Sequence, residues 1–273
     1  MKEHTWWIPL RFAAVFFLCY AVTAPSVFAQ EGDLAIAEES GLTGSVIGLG
    51  VAAVPDFEGS SDYEAAPLLQ ARFNWANGMF LSILGNSLRA NIIPSPTWDF
   101  GPIIRLRKAR EDVDNEAVDK LEDVDAAVEL GAFTGYRWEN VSLLLSALQD
   151  VSDAHDGYLV EFSGAYSHPI HSLSRLIVFA SMSYASDDYM ETYFEVTPED
   201  SLKSGIPTFN AEGGVKDVAG GLALQWGLNE NWGILGVARY ARLIGDGEDS
   251  PIVDEEGDQN QFLGGLLVNY RFR

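Results

Sequence analysis

The sequence predicts an all-β protein: an antiparallel transmembrane β-barrel of about twelve strands, with ten or fourteen as alternatives, following a cleaved signal peptide. Three observations carry this. The C-terminal stretch QFLGGLLVNYRFR alternates, with Phe262, Gly264, Leu266, Val268, Tyr270 and Phe272 on one face and Leu263, Gly265, Leu267, Asn269 and Arg271 on the other. No apolar run after residue 29 is long enough for a spanning helix, so a mature chain embedded in a membrane must close its strands into a barrel. Finally, alternating segments of about ten residues are separated by turns, some short and some long.

The last strand alone also suits the edge of a soluble sandwich. At a tilt of about 45° and a rise of about 3.3 Å per residue, however, Phe262 and Phe272 stand roughly 23 Å apart along a membrane normal, near the ~25 Å apolar band between two aromatic girdles. The same arrangement recurs on other strands, which supply the candidate girdle residues Trp138, Tyr158, Tyr166, Trp232, Tyr240, Phe262, Tyr270 and Phe272.

Residues 1–29 read as a secretory signal: Lys2 and Arg11 give positive charge, FAAVFFLCYAVTA is the apolar core, and Val27 and Ala29 form a small-residue cleavage pattern ahead of Gln30. The only cysteine, Cys19, lies in that segment, so no thiol or thiolate metal site is expected in the mature chain. The full chain has 17 basic and 40 acidic residues; losing Lys2, Arg11 and Glu3 leaves 15 and 39, a formal charge of −24. That balance excludes a nucleic-acid partner, which needs a basic footprint.

Residues 30–42 are acidic and unpatterned, and read as a short periplasmic arm before a barrel over 43–273. Strands are expected at Thr43–Val54 and Glu64–Asn74, then within Met79–Ile93, where GNS at 85–87 marks a tight turn between two short strands or a single bulged one. Trp98–Lys108 sets Phe100, Ile104 and Leu106 against Asp99, Arg105 and Arg107, with Pro102 making it locally irregular.

After the charged loop 109–124, Ala126–Trp138 sets Val128 and Leu130 against Glu129, Phe133 and Arg137. Val141–Val151, Tyr158–His168 and Arg175–Ser186 follow, with Glu161 opposed to Tyr158, Phe162 and Tyr166. The segment Asp187–Val215 is the least barrel-like, although ETYFEV within it has strand character. Lys216–Leu228, Asn231–Leu243 and the closing strand complete the set, with Arg239 opposed to Trp232 and Tyr240. Links 139–140, 168–173 and 229–231 are short and 108–124, 187–215 and 244–258 long, which puts the long ones outside and the C-terminus in the periplasm. Splitting Met79–Ile93 at Gly85 gives twelve strands and brings both termini to that side.

Candidate chemistry is sparse. A hydrolase needs a serine, a histidine and an acid together, whereas the mature chain has only His155 in an outer loop and His168 and His171 in a periplasmic turn, with no Gly-x-Ser-x-Gly elbow. No catalytic residue, metal or cofactor is expected. The inward charges Asp99, Arg105, Arg107, Glu129, Arg137, Glu161, Arg239 and Arg271 either line a small pore or neutralise one another across a closed lumen, the second being favoured. The acidic loops 109–125 and 244–258 lack the calcium-loop pattern; they are read as solvated and mutually repelling rather than as bridging through cations to lipopolysaccharide.

The chain resembles the MipA/OmpV family, also described as MltA-interacting proteins, over most of its mature length. The likeness rests on GLGVAAVPDFEGSSDYEAAPLLQARF, NIIP, FGPIIRLRKARE, Tyr193-Phe194, GGVKDVAGG and the terminal YRF. Most specific is RLIGDGEDSPIV, with Gly245, Asp246, Asp249, Ser250 and Pro251. The chain departs from the usual terminal aromatic, because Arg273 follows Phe272. The resemblance implies a Gram-negative outer-membrane barrel, non-enzymatic, that scaffolds a periplasmic murein hydrolase (lytic transglycosylase) and synthase (penicillin-binding protein) while sitting among lipid and lipopolysaccharide. A small diffusion channel and a surface adhesin or antigen are the alternatives.

Overall fold

Alternation builds the wall. The computed structural model describes residues 44–272; the expected signal peptide 1–29 with Cys19, the expected arm 30–42 and Arg273 lie outside the described residues. Twelve strands run β1 Ser45–Pro55, β2 Tyr63–Asn74, β3 Phe80–Leu84, β4 Ser87–Asn91, β5 Trp98–Arg107, β6 Ala127–Trp138, β7 Val141–Asp150, β8 Tyr158–His171, β9 Ser174–Ala185, β10 Gly214–Gly227, β11 Trp232–Leu243 and β12 Asn260–Phe272. Each pairs antiparallel with its sequence neighbour, and β1 closes on β12 from Ser45↔Phe272 to Ala53↔Gly264. Closure leaves no long edge to satisfy, which the interior of a bilayer demands.

Along each strand one set of side chains is buried in the lumen and the other exposed. Leu49, Val51, Phe162, Val178, Leu266 and Val268 are exposed apolar residues on the outside, an arrangement that only a lipid surface makes favourable. Aromatics bound this band. At the end holding both described chain ends, here the inner end, Trp232 meets Tyr270 at 4.9 Å and Trp98 meets Tyr136 at 4.7 Å; Trp138 and Tyr166 lie at the same end, and Phe272 packs edge-on to Phe73. At the outer end Tyr158 stacks on Tyr184 and Tyr240 packs on Phe262.

The stretch Met79–Ile93 is two strands. Gly85, at φ +51°, turns β3 into β4, a backbone region glycine enters freely. This hairpin is short: β3 pairs with β2 only over Gln70–Asn74. Pro102 interrupts the β4–β5 ladder after Arg89↔Ile103, since it has no N–H to give, and Gly101 beside it is needed because a Cβ there would lie 1.8 Å from the Ala90 carbonyl oxygen. Where the short hairpin ends, Lys108 Nζ reaches across to Glu64 at 2.6 Å and Asp56 at 3.0 Å.

Two expectations are corrected. ETYFEV is not a strand: Glu191–Phe194 belongs to helix α1, Asp187–Phe194, and only Val196 makes an isolated bridge, to Phe209. The Ser186 hydroxyl caps α1 by accepting from the Tyr189 N–H, and Tyr189, Met190, Tyr193 and Phe194 share its buried face at helical spacing. His168 and His171 lie on β8 rather than in a turn, because that strand runs on to His171 through an irregularity at Pro169–His171.

Candidate functional site

The lumen is filled in layers. Its middle is apolar: Leu68, Phe80, Phe133, Leu144, Ile177, Phe179 and Leu267 pack with smaller neighbours into one continuous cluster to which every strand except β4 contributes, Leu235 and Val237 of β11 joining from partly buried positions. Phe80 and Phe133 lie 6.2 Å apart within it. These inward side chains are almost inaccessible to water, as expected of a barrel whose middle is filled.

Above that layer, towards the outer end, lies a buried charge network. Arg105 donates to both oxygens of Glu161, at 2.8 and 2.6 Å, and lies 3.7 Å from Glu129. Arg107 Nε donates to Glu129 at 2.7 Å, and Ser146 donates to Glu161 at 3.1 Å. On the far wall Lys216 binds both Glu58 and Asp217, Ser183 donates to Asp217, and Arg239 stands 3.9 Å from Asp217. Four cations thus face four carboxylates, the condition under which buried charge is tolerated.

Sequence reasoning missed Glu58, Lys216 and Asp217. A period of two lets only one of Lys216 and Asp217 face inward, but the register shift between Val215 and Asp217 admits both. Glu58 comes from the loop after β1, which no strand pattern could place.

The outer end is covered by helix α1, by helix α2, Pro198–Ser204, and by the loops around them. Tyr189 donates its hydroxyl proton to Glu58 at 2.6 Å, and Arg107 lies 4.9 Å from the Tyr189 ring and 5.6 Å from that of Tyr193. Burial alone would raise the Glu58 carboxyl, but Lys216 and Arg107 outweigh it and hold the group below its ordinary value. Burial pushes the Tyr189 phenol well above its usual range, so it stays a donor.

His155 is buried beneath these rings, accepting the Gly157 N–H at Nδ1 and facing Glu129 from Nε2 at 3.3 Å. Both ring nitrogens are engaged, so neither is left to activate a serine. His171, on the exposed end of β8, has its neighbour Ser172 beside Nδ1, at 3.1 Å.

The segment after β11 locks the cover down. Gly245, at φ +58°, starts the short helix α3, Asp246–Asp249, and Asp246 accepts from the Glu212 N–H at 2.7 Å. Ser250 donates to the last carbonyl of α1, at Phe194, at 2.6 Å, and its hydroxyl also caps helix α4, Pro251–Asp254, which Pro251 opens. Asp249 closes α3.

The expectation that the acidic loops stand apart in solvent is corrected here. Val113, Val118 and Leu121 of the first loop pack with Ile252 of the second and with Phe57, Val196 and Ile206, while Asn115 donates to Glu256 at 3.0 Å. Apolar residues spaced among the acids bind the loops together, while Asp112, Glu116 and Asp254 stay exposed.

Below the apolar layer, towards the inner end, the inward side chains are polar. Arg137 donates to Asp99 at 3.0 Å, and Asn91 donates to the same oxygen at 2.8 Å. Arg271, nearer the rim, is tied through its main chain to Asn231. All eight charges singled out in the sequence therefore face the lumen, but in two separate chambers: Arg105, Arg107, Glu129, Glu161 and Arg239 above, and Asp99, Arg137 and Arg271 below. Among the described residues no cluster of His, Cys, Asp and Glu is arranged to hold a metal ion.

A family model described as MltA-interacting protein MipA matches residues 47–272. Outer membrane protein OmpV of Vibrio cholerae serotype O1 is 29% identical over 163 residues, covering 58% of this chain and 61% of that protein. Outer membrane protein Omp26La of Vibrio anguillarum is 28% identical over the same length, with the same coverage of each chain. The match thus spans less than two thirds of the length of these relatives. Among solved structures, the NanC porin superposes with a TM-score of 0.45 at 11% identity, over 84% of this chain and 100% of that one.

Proposed function

Because the chain belongs to the MltA-interacting protein MipA family, we propose that this outer-membrane barrel works as a non-enzymatic scaffold. In this reading it holds peptidoglycan-remodelling enzymes, a lytic transglycosylase and a penicillin-binding protein, at its periplasmic end. The observation that carries the reading is the apolar layer across the lumen. A barrel whose middle is lined by inward apolar side chains buried from solvent offers no open path for solute in this reading, so its work falls to its surfaces. The engaged nitrogens of His155 argue in the same direction against hydrolysis. The exposed apolar band and its girdles fit lipid and, at the outer leaflet, lipopolysaccharide.

The test is co-purification. The folded barrel, tagged within the outer loop 244–258, is mixed with each periplasmic enzyme in detergent. Retention of the transglycosylase or the synthase, lost when the periplasmic links 92–97 and 228–231 are replaced by glycine–serine, supports the scaffold; no retention of either sinks it.

A further inference from the structure

The wall is not equally tall all round. β2 pairs with β1 up to Pro55↔Tyr63, but its ladder to β3 begins only at Gln70, and the Gly85 N–H, donating to the Leu69 carbonyl at 2.8 Å, marks the top of the short hairpin. Among the described residues no strand lies beside the β5-facing edge of β2 between Tyr63 and Leu69. At a tilt of about 45° and a rise of about 3.3 Å per residue, that stretch climbs about 14 Å, more than half of the ~25 Å apolar band. Tyr63 stands at the top of the band, since its hydroxyl accepts the N–H of the outer-girdle residue Phe262 at 3.1 Å.

Backbone, packing and charge agree on what this notch meets. The Leu69 carbonyl points to the hairpin side, so strand alternation turns the N–H and carbonyl of Ala65 the same way, where no ladder partner stands and hydrocarbon offers none. Pro67, between them, has no N–H to lose there. The wall also sinks at the hairpin. Alternation puts Leu69 and Ile83 on the lipid face, yet they are 6% and 2% exposed, against 64% for Leu49 and 56% for Leu266, because they pack with Leu88 and Leu106 instead. Finally, the Lys108–Glu64 ion pair crosses the mouth of the notch with both side chains partly exposed, and charge in contact with hydrocarbon is costly.

We propose that the outer leaflet is thinned against this one face of the barrel: lipid headgroups, with the water they carry, descend into the notch between β2 and β5 as far as the β3–β4 turn. There their ester and hydroxyl oxygens accept from the Ala65 N–H, their water donates to the Ala65 carbonyl, and both solvate the Lys108–Glu64 pair. A bilayer yields to a locally short wall at modest cost, whereas backbone groups and charges left in hydrocarbon cost more. The lipid-binding face stands whether or not the barrel is a scaffold, because it lies in the outer half of the wall and the scaffold reading concerns the periplasmic end.

Beyond residue 29 the sequence has no cysteine, so a single introduced thiol reports on its own site. Pro67→Cys and Ala53→Cys are compared in protein refolded into phosphatidylcholine vesicles, by their rates of reaction with a charged, membrane-impermeant maleimide, each divided by the rate of Glu116→Cys in the outer loop. Both positions are exposed on the lipid face, and because Ala53 pairs with Ala65 while Pro67 pairs with Val51, Ala53 is the nearer to the outer end. A bilayer of even thickness therefore makes Ala53→Cys the faster. The notch reverses the order, with Pro67→Cys faster by about tenfold or more and unchanged as the acyl chains lengthen from lauroyl to oleoyl, while Ala53→Cys slows. If the proline change prevents folding, Ala65→Cys is read by the same indifference to chain length. Pro67→Cys no faster than Ala53→Cys, or rates at Pro67→Cys or Ala65→Cys that fall with chain length as that of Ala53→Cys does, overturns the proposal.

Discussion

Arg105 has no exposed surface and lies between Glu161 and Glu129. Removing one member of such a group leaves a charge stranded in low dielectric, so Arg105→Met should destabilise the barrel by about 3–5 kcal/mol. Pairing it with Glu161→Gln should restore part of that loss. Urea unfolding of the refolded protein, followed by the heat-modifiable shift on a denaturing gel, measures both.

Glu58 supplies a pH dependence whose sign is fixed. Its folded pKa lies below its unfolded value, so its contribution is complete above the ordinary carboxylate range and is lost as pH falls through the lower folded value. Hydrogen exchange in α1 should therefore be unchanged from neutral pH to about 5, then rise in acid relative to the barrel strands. Glu58→Gln should abolish that acid-specific rise; a rise that persists in the variant removes Glu58 as its cause.

At the scale of elements, the cover over the outer end is held by apolar packing and a set of polar ties, and one substitution removes two of those ties. Ser250→Ala loses both the bond to the Phe194 carbonyl and the cap of α4, a loss of about 1–2 kcal/mol. The prediction is earlier proteolysis within 187–213, with the barrel's unfolding midpoint nearly unmoved.

The strands were readable because burial on one face writes a period of two into the sequence, and even the short hairpin at Gly85 followed from the need to bring both ends to one side. Helix α1 was misread as a strand because Tyr193, Phe194 and Val196 favour strands locally. The signal that marks it, Ser186 as a cap with Tyr189 and Tyr193 four apart, extends over only eight residues. The packing of the acidic loops was hidden by composition: Val113, Val118 and Leu121 are scattered among acids with no period, and only the fold brings them to Ile252.

At the scale of the molecule, every lumenal charge named from the sequence does face inward, yet the division into two chambers was not legible. Alternation tells which face a residue takes; it does not tell its height in a tilted wall or what it meets from the opposite side. The apolar layer shows the difference. Phe133, Leu144 and Ile177 stand on separate strands, and only closure brings them together with Phe179 and Leu267 as a seal.

That seal is the central claim, and planar-bilayer recording of the purified, folded protein tests it most directly. Membranes containing the barrel should show no steady single-channel current in molar potassium chloride, and Phe80→Ala with Phe133→Ala, which removes two rings from the layer, should begin to conduct. Steady, reproducible single-channel currents from the unaltered protein would contradict the account.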